Sequence, residues 1–376
     1  MARILVLGGS GEMGSAAVAD LVERTGHEVT VGDIRVDAAR ALLQRLGAPD
    51  RVVEVDVDDP RSLATALANT DAVLNATYMR QNVQVTDAAI AAGVHLVDLG
   101  SYYPETLQQL ERHAAAQAAG SRIVPGCGVA PGLTNVLARL GADQLDAVDS
   151  IAMYSYITHP MWTSPGIVVT RFDASTGTSI VWEDGRAVEH PSFTGEEQFT
   201  FPQPYSEQEV HLVPHPEPLT LPRTIDAREV VFKVGYPADE TARIRVLLEL
   251  GFDADEPFTI DGVAVSPRRF ASSFIGRRGI SPTERSANVK HVRVQGTRDG
   301  QPTTLTYDFA VERTGRSASS AITGTVAAIA ADLVANGGPV GVHPPEAAFE
   351  PRPFIDALAE RGLTVVERET SAEAAS

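Results

Sequence analysis

The chain begins with an apolar β-type run, residues 3–7, that turns through Gly9-Ser10-Gly11-Glu12-Met13-Gly14 into a helix-period stretch. Few folds accommodate a strand, a G-x-G-x-x-G turn and a helix in that order, and the arrangement is that of a pyrophosphate cradle. Gly9 supplies the tight turn, Gly11 lets the backbone approach a phosphate, and Gly14 lets the helix lie close on the strand. Ser10, Glu12 and Met13 then place free N–H groups at the helix N-terminus, where the helix dipole favours negative charge.

Asp33 ends the second β run, nineteen residues after Gly14. A carboxylate there accepts hydrogen bonds from ribose hydroxyls, with Ile34 and Arg35 beside the adenosine. It also repels a 2′-phosphate, so NAD is favoured; Arg35 offers such a phosphate a partner, which leaves NADP open. Asp56 and Val57, ending the third run, flank the adenine. Ala76, Thr77 and Tyr78 follow the fourth run at the strand edge where ligands bind, and Thr77 and Tyr78 stand there either to cap and pack or to touch ligand.

Runs at 3–7, 28–31, 52–57, 72–75, 95–99 and 122–125 alternate with helix-period stretches. That rhythm predicts an α/β fold, a Rossmann-type doubly wound parallel sheet. Near Asp149 the texture changes. Gly/Thr/Pro-punctuated β-type segments follow at 166–172 and 178–183, with a turn at Asp184-Gly185. Residues 190–222 read as irregular, and a hairpin is expected across Asp299-Gly300. A helix over 317–336 and a final helix and strand to 367 close the chain, leaving a frayed tail at 371–376. The expected domains are 1–132, completed by 317–376, and an inserted α+β domain at 133–316 with a mixed or antiparallel sheet.

At 376 residues the chain is long enough for two such domains. A net charge of -18 argues against nucleic acid and anionic membranes as partners. No run reads as the roughly 18 apolar residues of a membrane span, and the N-terminal apolar run, cut short by glycines, does not read as a signal peptide. The single cysteine excludes an internal disulfide framework and fits a reducing cytoplasm. His190, His211 and His215 lie in a proline-rich stretch without helical patterning, so no metal is expected. Two of the 31 basic residues are lysines, Lys233 and Lys290, and both read as structural.

The candidate substrate residues lie at later strand ends. Asp98 ends the fifth run, placed to bind an ammonium, relay a proton with Tyr102 or water, or cap a loop. The loop 125–132 holds three glycines and two prolines in eight residues, a shaped segment whose backbone can approach a ligand. Cys127 and Gly128 in that loop, and Thr134 and Asn135 opening the next helix, are the candidate substrate contacts; Cys127 reads equally as a small packed residue. The pairs Arg268-Arg269 and Arg277-Arg278 offer bidentate grip on a carboxylate or are solvated. No Tyr-x-x-x-Lys pair is present, which argues against a short-chain reductase.

The segments GGSGEMG, AAIAAGVHLVDLG, GCGVAPGLTNVLA and GVHPPE…FIDALAERGLTVVE resemble saccharopine dehydrogenase-like oxidoreductases, most closely the L-lysine 6-dehydrogenase and saccharopine reductase branches. PGLTN is similar to carboxynorspermidine dehydrogenases, and the HPE and TLP of 215–222 are family-like. The resemblance implies a split nucleotide-binding fold, a homodimer through the inserted sheet, and reversible hydride transfer at an amine- or imine-bearing carbon of an amino-acid-like substrate. It places Gly9, Gly11, Gly14 and Asp33 in the dinucleotide fingerprint, Asp98 as the acid before the substrate loop, and Cys127 to Asn135 in that loop. A dinucleotide-binding sensor without redox activity and a carboxynorspermidine-type imine reductase are the alternatives.

Overall fold

The computed structural model describes residues 1–158 and 162–371. Its first sheet holds β1 (Arg3–Leu7), β2 (Glu28–Asp33), β3 (Val52–Glu54), β4 (Ala72–Asn75), β5 (His95–Asp98) and β6 (Arg122–Val124), with β17 (Gly341–Val342) at one edge. The order is β3-β2-β1-β4-β5-β6-β17, and every pairing is parallel. Both faces of β1 are buried. Ile4 and Val6 pack on Ala17, Val18 and Leu21 of α1 (Glu12–Arg24), whereas Leu5 and Leu7 face Leu63, Val73 and Val85. Helices on both faces are why these strands read as unbroken apolar runs. The strand order reverses between β1 and β4, which opens a crevice at the carboxyl ends of the strands.

The second sheet is mixed. It comprises β7 (Ala147–Ile157), β8 (Thr178–Glu183), β9 (Arg186–Pro191), β10 (Glu197–Phe201), β11 (Ser206–Leu212), β12 (Ala227–Gly235), β15 (Arg285–Arg298), β16 (Gln301–Thr314) and β18 (Val365–Ser371). Its main path is β10-β11-β12-β7-β15-β16-β18; β7 and β12 are parallel, and β8 and β9 extend from β12. A small hairpin, β13 (Phe258–Ile260) with β14 (Val263–Val265), stands apart. Asp299-Gly300 closes β15 on β16 with φ of 52° and 73°, and Asp184-Gly185 closes β8 on β9 with 49° and 76°. Positive φ at both positions is what a two-residue type I′ turn needs, so both expected Asp-Gly turns are present.

Four expectations change. Residues 166–172 are helical, within Pro165–Ser175, where Ser164 accepts a hydrogen bond from the Ile167 N–H and Pro165 fits the first turn. The stretch read as irregular contains β10 and β11. The helix Ala318–Asn336 is long and apolar enough to cross a membrane, yet 67% of its most apolar window is buried inside the protein. It lies against α1 so closely that a Cβ on Gly324 would sit 2.5 Å from the Met13 carbonyl oxygen. Finally, β18 pairs antiparallel with β16 rather than completing the first domain. Ser371 ends that strand, and the rest of the expected tail lies outside the described residues.

Candidate active site

A cleft of about 900 Å³ runs from the glycine loop to the second sheet. At one end the Asp33 carboxylate accepts from the Ser10 N–H at 2.9 Å and the Arg35 N–H at 2.9 Å, tying the loop to β2. Burial pulls the Asp33 carboxyl upward, but the hydrogen bonds from Ser10 and Arg35, with the Arg35 charge, outweigh it and hold it below its ordinary range. Asp33 therefore presents a charged carboxylate to this end of the cleft. Ser10, Gly11, Glu12, Met13, Ile34, Arg35, Asp56, Val57, Ala76 and Thr77 all line the cleft. Gly9 and Gly14 lie behind it, where they allow close packing: a Cβ on Gly14 would fall 2.3 Å from the Gly8 oxygen. The Ser10 hydroxyl is buried at the mouth of α1, close to Asp33, and meets no partner in full hydrogen-bonding geometry among the described residues. The N–H groups of Glu12 and Met13 that open α1, with the Ser10 hydroxyl beside them, fit a pyrophosphate.

The opposite wall belongs to the second sheet and its helices. Ser155 of β7, Asn288 and Lys290 of β15, Phe232 and Val234 of β12, Arg171 of the helix Pro165–Ser175, His215 and Tyr236 all face the cleft. Lys290 is 1% exposed and donates through Nζ to the Ser155 hydroxyl at 2.7 Å and to the Asn288 side-chain oxygen. Burial drives its ammonium down to about 7, against the pull of Glu217 and with help from Arg171. Arg171 donates to the Tyr236 hydroxyl and lies over that ring, 4.4 Å from its centroid, while its Nε is buried without a partner among the described residues. Among the described residues neither Lys290 nor Arg171 has a carboxylate within 4 Å. His215 stacks on Phe232 at 4.0 Å, and its Nδ1 is 2.9 Å from the Glu217 carboxylate.

The two walls are joined by Asp173. Its carboxylate accepts from the Tyr78 hydroxyl at 2.7 Å, from Arg80 at 3.4 Å and from Arg268 at 2.6 Å. Burial and the Asp173 acceptor push the Tyr78 hydroxyl up to about 12, so it remains a donor.

Residues 4–124 match the family model for the saccharopine dehydrogenase NADP binding domain, and residues 128–363 match that for the saccharopine dehydrogenase C-terminal domain. The chain belongs to the saccharopine dehydrogenase family. The fold is similar to apo histidine-tagged saccharopine dehydrogenase (L-Glu forming) from Saccharomyces cerevisiae, with a TM-score of 0.75 and 18% identity over 98% of this chain and 100% of that one. DAP dehydrogenase from C. glutamicum in complex with DAP aligns with a TM-score of 0.48 and 12% identity, covering 96% of this chain and 98% of that one. Amine dehydrogenase from Mycobacterium smegmatis aligns with a TM-score of 0.46 and 14% identity, covering 93% and 97%. As a member of the saccharopine dehydrogenase family, the chain is an NAD(P)-binding oxidoreductase.

Within this family frame the expected substrate residues divide. Tyr78, Tyr102 and Gly128 line the cleft, with the Arg80 guanidinium 5.2 Å above the Tyr102 ring. Asp98 does not. It is 0% exposed; Oδ1 accepts from the Gly100 and Gly126 N–H groups at 2.8 and 2.9 Å, and Oδ2 accepts from Gln109 at 2.6 Å. With both oxygens taken, Asp98 holds the loops that shape the floor and cannot reach an ammonium. Burial raises its carboxyl above the ordinary range against those three bonds. Cys127 is buried, donates to the Val124 carbonyl and has its thiol pushed well up by burial, so it is neither a contact nor a nucleophile. Thr134 and Asn135 lie behind the wall, bonded to Glu217 at 3.1 Å and Glu346 at 2.8 Å. Arg268 is committed to Asp173 and Asp255, and Arg277 lies over Phe274.

Sequence reading passed over Arg171, Tyr236 and Asn288, weighed His215 only as a metal ligand and read Lys290 as structural. One signal was present: Asn288 and Lys290 share the inward phase of β15 with Val292 and Val294, all buried. A lysine in that register cannot snorkel to solvent as a structural surface lysine does.

Proposed function

We propose that the protein is an NAD(P)-dependent oxidoreductase acting at the amine- or imine-bearing carbon of an amino-acid-like substrate. The observation that carries this reading is the continuity of one cleft, with the pyrophosphate loop at one end and, on the facing wall, two buried basic side chains, Arg171 and Lys290, that have no ion partner among the described residues. Buried charges of this kind are costly unless an anion meets them, and a substrate carboxylate is that anion. When bound, the dinucleotide supplies the hydride acceptor or donor. The chain's own residues do the rest: Asp33 takes the ribose, the N–H groups that open α1 and the Ser10 hydroxyl take the pyrophosphate, Arg171 and Lys290 orient the carboxylate, and the nearby apolar Phe232 and Val234 limit water.

Asp33, charged and fixed, supports NAD over NADP as part of this reading; exposed Arg35 is the feature that opposes it. The test is a panel of amines with oxidised cofactor and of oxo acids with ammonia or amino acids and reduced cofactor, each with NAD and NADP, followed at the nicotinamide absorbance. Turnover of at least one carboxylate-bearing amine, with KM raised more than kcat is lowered in R171Q, is the expected result. No absorbance change across the panel, with dinucleotide binding intact, refutes the reading.

A further inference from the structure

His215 is held as an acid–base group is held. Its ring lies flat on Phe232, 4.0 Å away with the planes 8° apart, so it cannot rotate freely. Glu217, 0% exposed, places Oε2 2.9 Å from Nδ1 and accepts from the Thr134 hydroxyl on Oε1 at 3.1 Å. A buried carboxylate needs donors on its oxygens, which selects the tautomer with the proton on Nδ1. The other nitrogen, Nε2, then carries a lone pair. It has no hydrogen-bond partner among the described residues, and His215 lines the cleft. The surrounding charges are Lys290 on β15, Arg171 on the neighbouring helix, and Glu346 behind Glu217.

We propose that His215 is the catalytic acid–base residue of the reaction proposed above, with Glu217 as its positioning residue. In the oxidative direction Nε2 takes a proton from the substrate ammonium. The freed nitrogen lone pair forms the C=N bond as the carbon's hydrogen leaves with its electron pair, for which a bound dinucleotide would be the acceptor. The imidazolium releases this first proton to solvent; water then adds to the iminium carbon as Nε2 takes one of its protons and passes it to the nitrogen, and as the remaining hydroxyl proton returns to Nε2 the C=O bond forms, the C–N bond breaks and the amine leaves. In the reductive direction the same nitrogen returns the proton to the amine. Glu217 keeps the donor side of the ring turned inward and stabilises the imidazolium that forms.

The test uses the full chain with a substrate that turns over in the panel above. H215Q is expected to lower kcat about 10²–10⁴-fold, to abolish the acid limb of the pH–kcat/KM profile, and to leave dinucleotide affinity, read by fluorescence titration without substrate, within about threefold. E217Q is expected to move that limb to lower pH, and E217D to restore part of the loss. In H215A, added imidazole restores turnover. In unliganded wild type a downfield Nδ1–H proton resonance appears and is lost in both H215Q and E217Q. The proposal is overturned if H215Q keeps its acid limb and kcat within about threefold, or if H215Q, H215N and H215A all lose dinucleotide binding. A panel in which nothing turns over overturns the oxidoreductase reading itself, and this inference falls with it.

Discussion

At the scale of single residues, the interior behind the cleft is governed by buried charge. Glu346 is fully buried, accepts from Asn135 on Oε2 at 2.8 Å, and among the described residues has no partner on Oε1. Burial, with Glu217 nearby, pushes its carboxyl from 4.5 up to about 7. A carboxyl that keeps its proton longer in the folded than in the unfolded chain stabilises most below its unfolded pKa, near 4.5, and loses that contribution as pH rises toward 7. The change is on the order of 3 kcal/mol. Glu346→Gln should therefore flatten the fall in stability between those pH values and leave the variant more stable than wild type at pH 8, as read by urea unfolding at pH 5 and pH 8. Parallel wild-type and variant curves would count against the assignment. Asp98 shows why such residues mislead a sequence reader. A strand's carboxyl end is where ligands bind, but Asp98 shares a face with Leu96 and points into the helix layer, where Gln109 waits. The pattern tells which residues share a face, not which layer a terminal polar group finds.

Among the elements, the crossing of α1 with the helix Ala318–Asn336 matters most. Gly324 lets the two approach until a Cβ there would meet the Met13 oxygen at 2.5 Å, the Ala16 Cβ at 2.6 Å and the Ala17 nitrogen at 2.7 Å. Gly324→Val should cost about 1–3 kcal/mol, lower the thermal midpoint, and weaken dinucleotide binding several-fold, because the displaced turn of α1 carries Glu12 and Met13 at the cleft. A variant with reduced stability but unaltered dinucleotide affinity would uncouple the crossing from the site. The local signals that fix such elements were legible wherever a backbone conformation demanded a residue type: the glycine loop and the two Asp-Gly turns. The helix Pro165–Ser175 was also written, as Ser164-Pro165, but its glycine and two adjacent valines read as strand. Tertiary burial of Val168 and Phe172 settles it as a helix.

For the molecule as a whole, we propose a homodimer through the inserted domain. Phe258, Ile260 and Val263 of the β13–β14 hairpin and Phe270 and Phe274 of the helix Pro267–Ile275 are exposed apolar side chains there. Sedimentation equilibrium should give a dimer for wild type and a monomer for the F270D/F274D double variant; a monomeric wild type ends the proposal. The order of the chain has its own consequence. It leaves the parallel sheet after β6, builds most of the mixed sheet, returns to lay β17 beside β6, and leaves again to set β18 on β16. The two halves are thus laced rather than linked. A recombination event that exchanged the substrate half at a single crossover would carry the return passage with it. One that exchanged only the middle would leave a native β18 facing a foreign β16. Descent in this architecture therefore favours change by substitution on a shared frame over the shuffling of parts.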